Sequence, residues 1–280
     1  MTQSGRFQDL PARVGTAGAL ILLIGCAFYI GLWGVALLVI VAGGLLGFET
    51  AKMARADLGP ALVFAAAQSI ALAGLMANFF VLFLAAVIGI GVFTTRFMPH
   101  RPELAGFMAL IAVVGLSAAF LLAAHFNIYL LIHLLMVAAF TDIGGYLGGR
   151  LLGGPKIVPR ISPSKTWSGL NIGLLLGFVS GGMLLSRDGL RWLSSANVPY
   201  VSDYAFHVLL ADGAFFPIWV VLMFVATVIF GDFLVSLVKR GFGVKDSGAI
   251  LPGHGGVWDR FDGFGLGAFV IWLFAVAGVS

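Results

Sequence analysis

The sequence predicts an all-α integral membrane protein with about nine transmembrane helices and a cytoplasmic N-terminus. Hydrophobic residues make up 60% of the 280 positions, and charged residues only 10%. Because a soluble domain of this size could not bury so much apolar surface, we expect the chain to lie in a lipid bilayer. Its apolar runs match the roughly 17–25 residues that one crossing requires, and short charged stretches separate them.

The spans are predicted in order along the chain. Residues 15–48 are apolar for too long to form one helix, so we expect a break near residues 31–34, where two glycines stand. Further spans are predicted at 60–75, 78–93, 104–123, 128–149, 169–185, 207–230 and 264–279. No linker divides the chain, so 1–280 is predicted to be a single domain. Within it, 15–125 is the expected lipid-facing scaffold and 128–280 the expected catalytic part.

The positive charges predict the orientation. With the N-terminus inside, all but two of the 16 Lys and Arg residues fall on the cytoplasmic side, and the exceptions are Arg187 and Arg191. Positively charged residues are retained in the cytoplasm, so the bias favours an N-inside, C-outside arrangement. We therefore expect a multi-pass protein of the inner membrane whose polar segments face the cytoplasm.

Composition also excludes several classes of site and partner. A single cysteine, Cys26, lies in an apolar run, which excludes a disulfide framework and a cysteine metal site. The basic residues of a membrane protein are explained first by its orientation in the bilayer, so no nucleic-acid partner is predicted. The glycine-rich helices allow close helix packing and permit a homodimer.

Residues 231–262 form a polar segment that interrupts this pattern. Four of the 12 acidic residues lie there, interleaved with Lys, Arg, His and glycines that include those at 253, 255 and 256. Carboxylates at this density suit Mg²⁺, whose coordination substrate phosphates usually complete. Lys and Arg would hold those phosphates, and glycines let a backbone approach them. The segment therefore predicts metal-assisted phosphoryl or nucleotidyl transfer.

Residues 236–262 read S-L-V-K-R-G-F-G-V-K-D-S-G-A-I-L-P-G-H-G-G-V-W-D-R-F-D. This stretch, within a signature region at 231–263, resembles the signature of the phosphatidate cytidylyltransferase family at every fixed position. A second block is similar to the family's D-x-x-A-Y-x-x-G-R and S-P-x-K-T-x-E-G stretches. It comprises Thr141, Asp142, Gly145, Tyr146, Gly149, Arg150 and the run S-P-S-K-T-W at 162–167. Three positions depart from the family pattern: Gly145 replaces Ala, Ser168 replaces Glu, and Gly263 stands where Ser is common.

The resemblance implies roles for particular residues. Asp232 and Asp259 correspond to the metal-binding positions, and Asp262 is predicted as a further ligand. Asp246 and Asp262 would complete the outer coordination sphere or bind a second cation, although ordinary helix capping competes with this interpretation. The catalytic set is predicted to be Asp232, Asp246, Asp259, Lys245 and His254, where a structural hydrogen bond competes for His254. The substrate-binding set is predicted to be Lys165, Ser162, Arg240, Lys239, Arg260, Asp142, Gly255 and Gly256.

Two of these assignments have further alternatives. Asp142 either belongs to the polar cavity or forms a helix-end ion pair with Arg150. Lys239 and Arg240 either bind substrate or contact anionic lipid.

The reaction implied is CTP plus phosphatidate giving CDP-diacylglycerol and pyrophosphate, with Mg²⁺ as the cofactor. The enzyme alternative is a CTP-dependent lipid alcohol kinase of the polyprenol or dolichol type, which would release CDP. The non-enzyme alternative is a cation-coupled transporter, which would be expected to carry polar residues at the midplane of broken helices in paired halves.

Overall fold

The computed structural model describes residues 10–126, 128–159, 161–184, 218–253 and 255–277. Within these ranges the chain is helical and holds no β-strand, only two isolated bridges. The helices are α1 Leu10–Ile30, α2 Leu32–Met53, α3 Leu58–Met76, α4 Phe80–Phe97, α5 Pro102–His125, α6 Ile128–Leu151, α7 Trp167–Leu184, α8 Ile218–Gly241 and α9 Trp258–Ala277. The all-α prediction is confirmed.

Seven of the described helices, all except α1 and α7, are long and apolar enough to cross a bilayer. The apolar parts of α1 and α7 are shorter, at Val14–Ile30 and Trp167–Gly181. Apolar side chains also cover much of the outer surface, and α4 is the most exposed of the seven spans. This is the surface of a multi-pass membrane protein, in which lipid solvates the apolar side chains.

The predicted break in the first apolar run is confirmed. Gly31 separates α1 from α2 with φ +85°, a conformation that glycine adopts without the steric cost of a Cβ. Gly34 then lets the two helices approach, since a Cβ at this position would lie 2.1 Å from the carbonyl oxygen of Ala27. The two glycines therefore act differently, one in the turn and one in the contact.

The end of the eighth predicted span and the start of the ninth differ from the structure. Helix α8 continues past the predicted end at 230 as far as Gly241, and α9 begins at Trp258 rather than at 264. Residues 207–217 of the eighth predicted span lie outside the described ranges. Hydropathy placed the boundaries at the first charged residues, but backbone hydrogen bonding continues through them. Asp232 and Asp259 consequently lie inside helices.

The described chain divides into two compact units. Residues within Met1–Ser117 and Val238–Phe261 form the first unit, and residues within Ala118–Leu237 and Asp262–Ser280 form the second. In the first unit α2 packs on α1 and α3, and α3 packs on α4. In the second unit α6 packs on α7. The division does not follow the predicted boundary between an N-terminal scaffold and a C-terminal catalytic part, and the single-domain prediction stays a prediction.

Glycines bring α6 and α7 into close contact within the second unit. A Cβ on Gly144 of α6 would lie 2.8 Å from the carbonyl oxygen of Ile172, and one on Gly173 of α7 would lie 2.9 Å from that of Thr141. Backbones therefore touch where side chains would otherwise separate them, as is common for small residues at helix contacts in membranes. This contact forms one wall of the cavity described below.

Candidate active site

A cavity of about 440 Å³ lies in the second unit, between α6, the segment 152–166, the beginning of α7 and the middle of α8. Glycines 145, 149, 169 and 173 form part of its wall. Its charged lining residues are Asp142, Arg150, Lys156, Lys165 and Asp232. Three cations and two carboxylates around one cavity can hold an anion and a cation together.

Lys165 and Asp232 form an ion pair inside this cavity. The Nζ atom of Lys165 lies 2.6 Å from Oδ2 of Asp232, and both side chains are partly exposed to the cavity. Sequence analysis predicted a phosphate-binding role for Lys165 and a metal-binding role for Asp232. The structure brings these two residues together, although 67 positions of sequence separate them.

The beginning of α7 faces the same cavity through Thr166. Its Oγ1 accepts a hydrogen bond of 3.1 Å from the backbone N–H of Gly169, so Thr166 caps the helix. Ser168, the residue that replaces the usual Glu of the family, donates its hydroxyl to the carbonyl oxygen of Gly153. A hydroxyl at position 168 therefore ties the loop before α7 to the beginning of that helix.

Arg150 is held beside the cavity by an aromatic side chain. Its guanidinium donates to the hydroxyl of Tyr146, one turn earlier on α6, and lies 5.8 Å from the centre of the tyrosine ring. Stacking of this kind fixes the direction of a guanidinium while leaving other N–H groups for a ligand. Asp142, for which an ion pair with Arg150 was an alternative, is an exposed residue of the cavity lining.

Asp259, the other predicted metal ligand, lies in the first unit at the beginning of α9. Its Oδ1 is 2.5 Å from Nζ of Lys239, and the two side chains are 13% and 8% exposed. Its Oδ2 accepts hydrogen bonds from the backbone N–H groups of Gly256, at 2.9 Å, and Ser247, at 3.2 Å. Lys239 is thus a buried partner of a carboxylate, a placement that neither the substrate nor the lipid interpretation anticipated.

Glu49 of α2 is a second carboxylate in the first unit, and it is only 2% exposed. It accepts hydrogen bonds from the backbone N–H of Val257 at 2.8 Å and from that of Trp258 at 3.0 Å, where α9 begins. The hydroxyl of Ser247 lies 2.9 Å from the same carboxylate. Because the first N–H groups of a helix lack partners within the helix, Glu49 satisfies donors that would otherwise be unpaired.

Two signature glycines pack against these carboxylates. A Cβ on Gly256 would lie 2.0 Å from Oγ of Ser247 and 2.6 Å from either oxygen of Glu49. Gly255 has φ +83°, and a Cβ there would lie 2.7 Å from Oδ2 of Asp259. Both were predicted to bind substrate phosphates, and the structure gives them an additional reason to be glycine.

The remaining predicted site residues lie at the end of α8, at the beginning of α9 and in the loop between them. Lys245 and Asp246 are exposed in the loop between α8 and α9, and Arg260 is exposed on α9. Arg240 donates to the carbonyl oxygen of Val244 at 3.2 Å, and Asp262 accepts from the N–H of Gly263 at 2.9 Å.

The last two predicted site residues are Ser162 and His254. Ser162 is not part of the cavity lining, whereas its neighbours Ser164 and Thr166 are. His254 lies outside the described residues.

Metal binding stays a prediction. Among the described residues, no group of three or more His, Cys, Asp or Glu side chains lies close enough to hold an ion. Asp142 and Asp232 nevertheless line one cavity. Mg²⁺ is commonly held by one or two carboxylates and completed by water and substrate phosphates, so these two oxygen donors are of a suitable kind and number.

Sequence reasoning missed Glu49, Ser247 and Lys156. Glu49 carried a usable signal, because it is the sole acidic residue between positions 10 and 56 and follows a long apolar run. A carboxylate in such a position is costly unless it is paired. Its partners could not be read from the sequence, since Ser247 is 198 positions away.

Known proteins resemble this chain in sequence. The model of the cytidylyltransferase family matches residues 11–277. The chain is 41% identical to a phosphatidate cytidylyltransferase of Brucella suis over 150 residues, which are 53% of this chain and 47% of that protein. It is 34% identical to one of Rickettsia bellii over 154 residues, 55% of this chain and 61% of the relative. It is 36% identical to one of Helicobacter pylori over 155 residues, 55% and 50%.

These matches cover about half the length of the curated relatives. The family model, by contrast, extends over nearly all of this chain and includes the cavity, the glycine-lined helix contact and the α8–α9 segment. From this match it follows that the chain belongs to the cytidylyltransferase family.

Proposed function

We propose that this protein is a phosphatidate cytidylyltransferase, which converts CTP and phosphatidate into CDP-diacylglycerol and pyrophosphate. The names of the relatives and the matched signature support this assignment. The observation that carries it is the Lys165–Asp232 pair in a cavity with two further cations.

The charges of the cavity suit a nucleoside triphosphate and a phosphate monoester. Lys156, Lys165 and Arg150 can neutralise phosphate oxygens, and Thr166 places the beginning of α7 at the cavity wall. Helix beginnings and Arg or Lys side chains are the usual phosphate ligands of proteins. Repulsion between two polyanions is the main obstacle to this reaction, and cationic side chains reduce it.

Asp142 and Asp232 would hold Mg²⁺ in this cavity, while Asp259 and Asp262 stay predicted ligands from the family resemblance. Bound Mg²⁺ would neutralise charge on the triphosphate. Lys165 is oriented by Asp232 on the wall of the cavity, where its ammonium group would contact a phosphate. Asp246, Lys245 and His254 stay predicted catalytic residues.

The reaction itself exchanges one P–O bond for another. An oxygen of the phosphatidate monoester attacks the α-phosphorus of CTP, and the bond from that phosphorus to the bridging oxygen of the β-phosphate breaks. Pyrophosphate leaves with the bonding electrons. The attacking oxygen is anionic near neutral pH, so the protein's task is to position the groups and compensate charge rather than to remove a proton.

We further propose that the protein lies in the inner membrane with this cavity facing the cytoplasm. The distribution of Lys and Arg supports that orientation. The apolar surfaces of the helices make the bilayer the expected partner, and a lateral path between helices would leave the acyl chains in lipid. A homodimer, which the glycine-rich helices permit, stays a prediction.

The activity is tested with purified protein in mixed micelles containing phosphatidate, Mg²⁺ and CTP labelled at either the α- or the γ-phosphorus. Nucleotidyl transfer puts the α-label into lipid and releases pyrophosphate. With a polyprenol in place of phosphatidate, a lipid alcohol kinase would instead transfer the γ-label and release CDP. No transfer of either label in several detergents would refute both activities.

The cavity is tested by Asp232→Asn, which keeps the side-chain volume and removes the charge. We expect a loss of at least about a hundredfold in kcat, the size typical for removal of one preorganised electrostatic group. Asp57→Asn is the matched control, because Asp57 is exposed at the start of α3 and makes no side-chain cap hydrogen bond. Wild-type activity in Asp232→Asn would show that the cavity is not the active site.

A further inference from the structure

We propose that Glu49 is a positioning residue of the reaction, which holds Ser247, Val257 and Trp258 so that Asp259 keeps its catalytic orientation. This inference rests on the proposed function for the role of Asp259. It concerns the first unit alone, where Glu49, Ser247, Lys239 and Asp259 all lie. The family resemblance assigned no role to Glu49.

The first step of the argument is the surroundings of the Glu49 carboxylate. Three donors converge on it: the backbone N–H groups of Val257 and Trp258, and the hydroxyl of Ser247. No cation forms an ion pair with it among the described residues. Hydrogen bonds to a charged acceptor are about twice as strong as neutral ones, and together they offset the cost of burying the charge.

The second step is the direct link between the two carboxylates. The Ser247 hydroxyl lies 2.9 Å from Glu49 Oε2 and 3.3 Å from Asp259 Oδ2, so one side chain touches both acids. The backbone N–H of Ser247 also donates to Asp259. Glu49 therefore holds the residue that in turn holds Asp259.

The third step is the anchoring of α9 itself. The indole N–H of Trp258, a fully buried side chain, donates to Oγ1 of Thr50 at 2.9 Å and to the carbonyl oxygen of Leu46 at 3.0 Å. Glu49 and Thr50 are adjacent on α2, so one turn of α2 binds both the backbone and the side chain of Trp258. Asp259 is the next residue, and its backbone is fixed from the same turn of α2.

The contacts also explain why a carboxylate is needed at position 49. A Gln of equal size would present an NH₂ group to Val257 N–H or Trp258 N–H, and both of these are donors. The mismatch would displace the beginning of α9 without leaving a large void. Partners that orient a metal-binding side chain typically change metal affinity or activity by about 10–100-fold when they are removed.

The test compares Glu49→Gln with wild type in two measurements. We expect kcat to fall about tenfold and the Mg²⁺ concentration for half-maximal activity to rise about tenfold. The KM for phosphatidate should stay unchanged, because Glu49 is not proposed to touch substrate. In the second measurement, made without nucleotide, Mg²⁺ should raise the thermal midpoint of wild type more than that of the variant.

The control is Glu103→Gln, at an exposed Glu at the start of α5 that makes only a long ion pair of 3.7 Å with Arg101. It should match wild type in both measurements. Ser247→Ala removes only the hydroxyl that contacts both Glu49 and Asp259. The double variant Glu49→Gln/Ser247→Ala should be no less active than the less active of the two single variants, since both act through one chain of contacts.

A merely structural role for Glu49 would lower the thermal midpoint and leave the Mg²⁺ dependence as in wild type, and that result would overturn the inference. If Glu49→Gln cannot be purified, the same two measurements are made on Ser247→Ala. An unchanged Mg²⁺ dependence in Ser247→Ala would then count against the inference. If wild type makes no CDP-lipid, the proposed function fails by itself. The Mg²⁺-induced thermal shift then still decides whether Glu49 acts on a metal-binding Asp259.

Discussion

Adjacent glycines on α6 should respond oppositely to the same substitution. Gly144 is buried against α7, and a Cβ there would lie 2.8 Å from the carbonyl oxygen of Ile172 and 3.0 Å from Cα of Gly173. Both are backbone atoms, so no side chain can rotate away. A Cβ on Gly145 would have a single neighbour, the carbonyl oxygen of Gly169 at 3.9 Å.

The magnitudes follow from these distances. Ordinary contact begins near 3.4 Å, so Gly144→Ala must push α7 away by roughly 0.6 Å, and overpacking of this kind costs about 1–3 kcal/mol. Gly145→Ala meets no obstacle and gains up to about 1 kcal/mol from the higher helix propensity of Ala. Because this propensity gain applies at both positions of α6, the two variants should differ by the overpacking cost alone, about 1–3 kcal/mol in the free energy of unfolding.

The assay is the temperature at which half of the detergent-purified protein remains monodisperse after heating. Gly144→Ala should lose several degrees, whereas Gly145→Ala should equal or exceed wild type. Gly145→Ala should also keep the proposed CDP-lipid synthesis, since the family that this chain resembles usually carries Ala at this position. Equal midpoints for the two variants would refute the close α6–α7 contact.

Two further predictions concern the signature loop and the orientation. Gly256→Ala should abolish activity, because its Cβ would collide with Ser247 and Glu49, while the helical content measured by circular dichroism stays unchanged. The control is Gly243→Ala, at φ +79° with no atom near its Cβ, which should lose only about 1–2 kcal/mol of stability through backbone strain. Activity at wild-type level in Gly256→Ala would contradict the Ser247–Glu49 contact. In a Cys26→Ser background, Glu103→Cys should react with a membrane-impermeant maleimide in inverted vesicles and not in intact cells. Labelling in intact cells would place Glu103 outside the cytoplasm and contradict the proposed topology.

Hydropathy and local residue chemistry predicted most of the architecture. Each of the nine described helices overlaps one of the predicted spans, and the break at Gly31 falls where the glycines indicated it. Helix boundaries were less accurate near charge. Asp232, Lys239 and Asp259 lower the local hydropathy, yet the helices extend through them because the charges find partners in the fold.

The contacts of the site were less predictable than its composition. The family resemblance predicted roles for Asp232, Asp259 and Lys165, but the partner of each charge depends on tertiary structure. Lys239 pairs with Asp259 across 20 positions, and Glu49 reaches Val257 across 208. Local periodicity cannot predict such pairings, since they arise when distant helices pack together.

The glycines that line the cavity have a consequence for how it receives a ligand. Main-chain atoms held in two packed helices have no rotamers to lose, so little conformational entropy is given up when a ligand touches this side of the cavity. A surface of this kind is preorganised and also inflexible. Any adjustment to ligands of different shape must then come from the long side chains of the lining, among them Lys156, Lys165 and Arg150. Selectivity for shape should be strongest where the ligand contacts glycine.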